Sequence, residues 1–206
     1  MIEKRAAKRE DLRERLIASA EARIAQWSLK ELRARDVTTD AGCALGALYL
    51  AFEDLDALVL EVNARTLRNL DAAMNEALAT TQDPDQQMHI LARTYLNYAR
   101  QHSNLWWALF QFHMSNQKTV PNWFSQEQAK LLSQIIRPLS TLQPDLGGEQ
   151  LIVRARTLFA CVHGIVSISL ENRFVGVPMD TLDAEIERFI DLMLAGLPAM
   201  GNRPSH

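Results

Sequence analysis

The chain has 206 residues, 48% of them hydrophobic and 23% charged, with a formal net charge of −3. This is enough apolar material for one large domain or two small ones, and the slight acidity excludes a wholesale nucleic-acid coat. Cys43 and Cys161 stand far apart in no Cys/His cluster, and His89, His102 and His206 have no ligand spacing. Neither a disulfide framework nor a metal site is expected, and no cofactor is implied.

The opening "MIEKRAAKRE" is charged where an export leader needs an apolar stretch, and no run approaches the roughly 18 apolar residues of a membrane span. A cytoplasmic protein with no membrane partner is expected. Charge is distributed unevenly. Lys4, Arg5, Lys8, Arg9, Arg13, Arg15, Arg23, Lys30, Arg33 and Arg35 crowd the start, whereas from Asp36 to Asp85 only Arg65 and Arg68 are basic. A polyanion would meet the N-terminal end.

Helical periodicity runs along the whole chain, with almost no strand alternation. Leu12, Leu16, Ala20, Ile24 and Trp27 form one stripe of a first helix that stops near Trp27. Ser28 to Glu31 has the form of a capping box that would start a second helix there. The segment "AGCALGALYLAF", residues 41 to 52, follows as a tight turn at Gly42 and a short helix without a charged side chain. A long helix then buries Leu55, Leu58, Val59, Val62, Leu70, Met74 and Leu78. In "TQDPDQQ", Asp83 suits an N-cap, Pro84 the first helical position and Gln86 the reciprocal capping role, predicting a helix from about Pro84 to Arg100.

Ser103 is placed to cap a short helix holding Trp106, Trp107, Phe110 and Met114. Pro121 opens another helix, which Pro138 kinks or ends. After the loop "LQPDLGGEQ", residues 151 to 170 are apolar nearly all round, which predicts burial on two sides. Asp180 caps a last helix with Leu182, Ile186, Phe189, Ile190, Met193 and Leu197 on one face, stopped by Gly196 and Pro198. The expected fold is all-α with about nine helices. A three-helix N-terminal unit (residues 1–53) precedes a helical bundle for ligand binding and dimerisation (residues 54–206).

Residues 29 to 58, "LKELRARDVTTDAGCALGALYLAFEDLDAL", resemble the helix-turn-helix of the TetR family of bacterial transcriptional regulators. Leu29, Leu32, Arg35, Asp36, Val37, Ala41, Gly42, Gly46, Leu48, Tyr49, Phe52 and Leu58 match its pattern. The resemblance starts the second helix near Arg33 instead of Ser28, and twelve matched positions outweigh one cap. Val37 and Ala41 then share a face, Leu48 and Phe52 anchor the third helix, and Gly46 would allow close helix approach. "YLNYARQHSNLWWALF" and "FACVHGIVSISLE" resemble the ligand domain of a subgroup with a Trp-His-Gly signature, with Phe159 in the Trp position before His163-Gly164.

The resemblance implies a repressor acting as a homodimer on double-stranded DNA and released by a small apolar or aromatic effector. The DNA-contacting candidates are Lys4, Arg5, Lys8, Arg9, Arg33, Arg35, Ala44, Leu45, Ala47, Tyr49 and Leu50. Those for the ligand are Trp106, Trp107, Phe110, His113, Phe159 and His163. Those for the dimer interface are Ile165, Ile168, Leu182, Ile186, Phe189, Ile190 and Met193. Two departures stand out. Ala44 and Leu45 occupy positions where the family favours a hydroxyl and then a basic or polar residue, and Leu55 replaces a common Lys. The alternative reading is therefore an all-α small-molecule or protein-partner module that has lost specific DNA recognition. No nucleophile–base pair, paired carboxylates or phosphate-binding glycine loop points to an enzyme.

Overall fold

The computed structural model describes residues 2–114 and 119–200, with side chains described for 6–114 and 119–196. Among the described residues there are nine α-helices and no strand. They are α1 (Ile2–Trp27), α2 (Ala34–Asp40), α3 (Leu45–Ala51), α4 (Leu55–Leu78), α5 (Pro84–Gln101), α6 (Ser103–Gln111), α7 (Asn122–Leu142), α8 (Gly148–Leu170) and α9 (Leu182–Met200). The chain divides into two compact units, Met1–Arg68 with His102–Glu127, and Asn69–Gln101 with Gln128–His206.

The first unit is larger than residues 1–53, because α6 packs on α1. Leu105 and Ala108 join a core of Leu16, Ile17, Ala20, Ile24, Leu32, Val37, Leu48, Phe52, Leu58 and Val62, and Asn104 Nδ2 donates to the Ala25 carbonyl at 2.9 Å. Each fully buried Leu or Ile here contributes about 1.5–3 kcal/mol relative to an exposed one. Trp27 does not complete the α1 stripe. It is half exposed, with the Arg23 guanidinium over its ring.

Local signals set some boundaries and lost at others. The Ser28 box yields only a 3-10 turn at Leu29–Glu31, with no side-chain cap bond, and α2 begins after Arg33. Burial of Leu32 and Val37 fixes that start, because a single cap of about 1 kcal/mol cannot outweigh two core side chains. At α5 the Asp85 N–H donates to Asp83 Oδ1. The reciprocal bond runs through Thr81, whose hydroxyl accepts from the Asp83 N–H and donates to Gln86 Oε1. Before α6 the cap position is His102, not Ser103, and Met114 lies past the helix end. Helix α9 starts after Thr181, whose carbonyl accepts from the Glu185 N–H, so Asp180 is one residue too early. It also runs through Gly196 and Pro198 to Met200.

In the second unit, α5 and α9 pack face to face. Met88, Leu91, Ala92, Tyr95, Leu96 and Ala99 on α5 are buried, as are Leu182, Ile186 and Ile190 on α9. Polar contacts edge the seam: His89 lies against the carboxylates of Glu187 and Asp191, and ion pairs join Arg93 to Glu187 and Arg100 to Asp183. Helix α7 continues past Pro138 to Leu142. Within it Gln134 is buried, its Nε2 donating to Asp71 Oδ1 and Asn75 Oδ1.

Helix α8 is long and apolar enough to cross a membrane by length and composition alone, with a mean hydropathy of 1.6 over 18 residues, although Arg154, Arg156 and His163 interrupt it. It packs Ala155, Leu158, Val162, Val166 and Ser169 on one side only. Ile152, Val153, Cys161 and Ile168 on other faces are exposed, so burial on two sides is not seen within the chain.

Candidate DNA-binding and ligand sites

Two of the basic residues of α1 hold the helix-turn-helix together. Arg15 donates to the Ala41 carbonyl at 3.0 Å, beside the turn where Gly42 takes φ +64°, a left-handed conformation that favours glycine. Arg13 donates to the Ala51 carbonyl at 2.7 Å and to Glu61 at 2.8 Å, with its guanidinium over the Phe52 ring. Arg15 thus holds the C-terminal cap of α2, and Arg13 the last residue of α3, against α1. Arg23 in turn pairs with Asp40 and Asp36, and holds the Asp40 carboxyl below the usual carboxylate range. Arg65 pairs with Glu14 and Glu21.

Lys8, Arg9, Lys30, Arg33 and Arg35 differ from these. All are exposed, and none has a carboxylate partner among the described residues; Arg33 donates only to the Lys30 and Leu32 carbonyls. The side chains of Lys4 and Arg5 lie outside the described residues. On α3, Leu48 and Ala51 face the core, while Ala44, Leu45, Gly46, Tyr49 and Leu50 are exposed and Ala47 is half-buried. Gly46 meets nothing within 4 Å at a built Cβ, so it mediates no close helix approach. Cys43 packs against the core as a partly buried turn residue.

The aromatic candidates for the ligand fall in different units. Trp106, Trp107 and Phe110 cluster on α6 in the first unit, with Trp106 fully buried and ring centroids 4.7 and 5.1 Å away. His113 is exposed beyond the end of α6, its Nδ1–H on the Gln111 carbonyl. Phe159 and His163 belong to the second unit, which holds an apolar cavity of ≈ 40 Å³ lined by residues including Met74, Met88, Leu91, Tyr95, Phe159 and Met193. None of the four tryptophans lines it.

His163 is not itself in the cavity wall but supports two residues that are. Its Nδ1 and Tyr95 Oη are hydrogen-bonded at 2.8 Å, and its ring stacks on Phe159 at 5.7 Å. Met74, Met88, Leu91, Tyr95 and Met193 were missed as lining residues, because sequence periodicity marks them as core without saying that the core is incompletely filled there.

Burial lowers the His163 pKa below its ordinary 6.5. The unfolded chain therefore binds this proton more readily than the folded one. Stability from the neutral ring is present above about pH 6.5 and is lost as pH falls through the lower, folded value. His163→Gln should flatten the decline of Tm between pH 7 and pH 5 measured by calorimetry. An unchanged slope would show that the ring does not titrate in this window.

The family match takes in most of the second unit together with residues 102–127 of the first. A Tetracyclin repressor-like C-terminal domain matches residues 88–193. Three solved structures are similar over nearly the whole chain. The first is a protein of unknown function from Rhodococcus sp. RHA1 (21% identity, 90% of this chain and 94% of that one, TM-score 0.74). The second is RolR in complex with resorcinol (19%, 97% and 97%, TM-score 0.67). The third is a TetR-family transcriptional regulator from Bordetella parapertussis 12822 (18%, 94% and 98%, TM-score 0.62). At these identities the likeness speaks for the fold. No curated protein matches the sequence.

Proposed function

Because the chain belongs to the TetR family of transcriptional regulators, we propose that it is a ligand-responsive repressor, binding operator DNA as a homodimer and released by a small apolar or aromatic molecule. The observation that carries the ligand half is the apolar cavity lined by residues of the matched region together with Met74 of α4. Its volume is below the several hundred Å³ of a formed drug-sized site, so an effector must push side chains aside. Met74, Met88 and Met193 are suited to that, since unbranched thioether chains change rotamer at little cost. RolR, solved with resorcinol, supports a small aromatic molecule as effector.

For the homodimer the support is the exposed side of α8, where Val153, Thr157, Ala160, Cys161 and Ile168 share a face with the small Gly164. Leu192 on α9 is 73% exposed. Leu182, Ile186 and Ile190 are buried against the chain's own α5 and are withdrawn from the interface. Met193 lines the cavity and is withdrawn too, leaving Ile165, Ile168 and Phe189 from the expected set. A four-helix contact between two copies of α8 and α9 follows.

The ligand half is tested by a panel of small phenols and other aromatics. A true effector raises Tm, by an amount equivalent to about 2.7 kcal/mol at a hundredfold excess over Kd, and weakens operator binding with the same affinity. Since no tryptophan touches the cavity, a change in tryptophan emission on binding would report coupling and not contact. A ligand that stabilises the protein but leaves DNA affinity unchanged removes the allosteric part of the proposal.

A further inference from the structure

The outer face of α3 poses a chemical puzzle. At about 100° per residue, Leu45, Tyr49, Gly46 and Leu50 occupy one continuous outward arc, opposite the buried Leu48 and Ala51. Leu45 is 37%, Tyr49 54% and Leu50 80% exposed. Apart from the Tyr49 hydroxyl, this arc offers no side-chain donor or acceptor. Leu50 at such exposure gains little from the chain's own packing, and Leu45 is only partly covered by it.

Charge complementarity names the occupant. Lys30, Arg33 and Arg35 lie just before and at the start of α2, and α2 packs on α3. Lys8 and Arg9 lie four to seven residues before Arg13 and Arg15, which hold the last residue of α3 and the C-terminal cap of α2. These five cations lack carboxylate partners among the described residues, while Arg13, Arg23 and Arg65 on the same unit are fully engaged. An apolar strip accompanied by cations without carboxylate partners suits an apolar target embedded in a polyanion. In a duplex major groove the only methyl group on a base edge is the C5-methyl of thymine; the other edges are dominated by donors and acceptors.

Resting on the reading of α2–α3 as a DNA-binding element, we infer that Leu45 and Leu50 read thymine by packing on its C5-methyl group. Specificity then has two parts. A contacted methyl is buried, a gain of about fourfold in affinity for one methyl-sized group. A cytosine amino group or guanine O6 in the same place is stripped of water by a leucine that returns no hydrogen bond, and is rejected. The five cations supply affinity that is independent of sequence and falls with salt.

The test removes the methyl and nothing else from base pairing. Selection from a random 30-base-pair duplex pool provides the preferred sequence, which is resynthesised with deoxyuridine at every thymine. Fluorescence anisotropy with the full-length protein then compares the two duplexes across a salt series. The expected result is weaker binding to the deoxyuridine duplex, about fourfold per contacted methyl, with an unchanged salt slope. Leu50→Ala, at a position too exposed to matter for folding, should lose most of this difference. Equal affinity for both duplexes overturns the inference. So does a Leu50→Ala/Leu45→Ala protein that still discriminates as well as wild type, since the discrimination would then come from DNA shape. Failure to select any duplex at low salt overturns the DNA-binding reading beneath it and is distinguishable from both.

Discussion

Trp106→Ala is expected to lower the stability of the protein by about 3–5 kcal/mol, the range for truncating a buried Trp or Phe. Trp106 is fully buried, with Trp107 and Phe110 against its ring. Its helix α6 supplies Leu105 and Ala108 to the same core that seats α3. For a chain of this size the loss corresponds to a fall in Tm of about 10 °C. It should appear in chemical denaturation as a lower midpoint at constant m-value. Trp106→Phe, which keeps an aromatic ring in the site, should cost clearly less. A Tm drop of only a degree or two for the alanine variant would show that α6 is not part of the framework holding the helix-turn-helix.

Gly164→Glu separates assembly from folding. A Cβ built at Gly164 meets nothing within 4 Å, so the isolated chain accepts a side chain there. Replacing a helical glycine should even add about 0.5–1 kcal/mol of intrinsic helix stability. In the proposed dimer the same carboxylate lies between two apposed α8 helices and is desolvated without a partner, which the interface cannot accommodate. The expected result is a helical, folded monomer by circular dichroism and light scattering. Its operator affinity should fall by about 10²–10⁴-fold, because two half-sites are no longer engaged together. A variant that stays dimeric places the interface elsewhere.

Features set by short-range chemistry were legible in the sequence. The end of α1 at Trp27, the glycine-dependent turn at Gly42 and the cap at Asp83 follow from residues adjacent in sequence, where a side chain and the backbone it serves are within a turn of each other. So does the helix-turn-helix pattern, since Val37, Leu48, Phe52 and Leu58 reach a common core at fixed spacing. The charge-free face of α3 needed no structure to be seen.

The tertiary structure decided which neighbour each apolar face meets. Periodicity marks one side of α9 as apolar, but only packing shows that Leu182, Ile186 and Ile190 are spent on α5 while Leu192 points outward. The aromatic candidates shared a composition, yet Trp106, Trp107 and Phe110 belong to the first unit and Phe159 and His163 to the second. Arg13 and Arg15 read as a polyanion patch and proved to be clasps on backbone carbonyls 38 and 26 residues away. The physical reason is common to all three. A residue's type and its position on a helix fix how much free energy burial or pairing can release, but the partner that releases it is distant in sequence. That partner is chosen only when all the helices compete for the same surfaces.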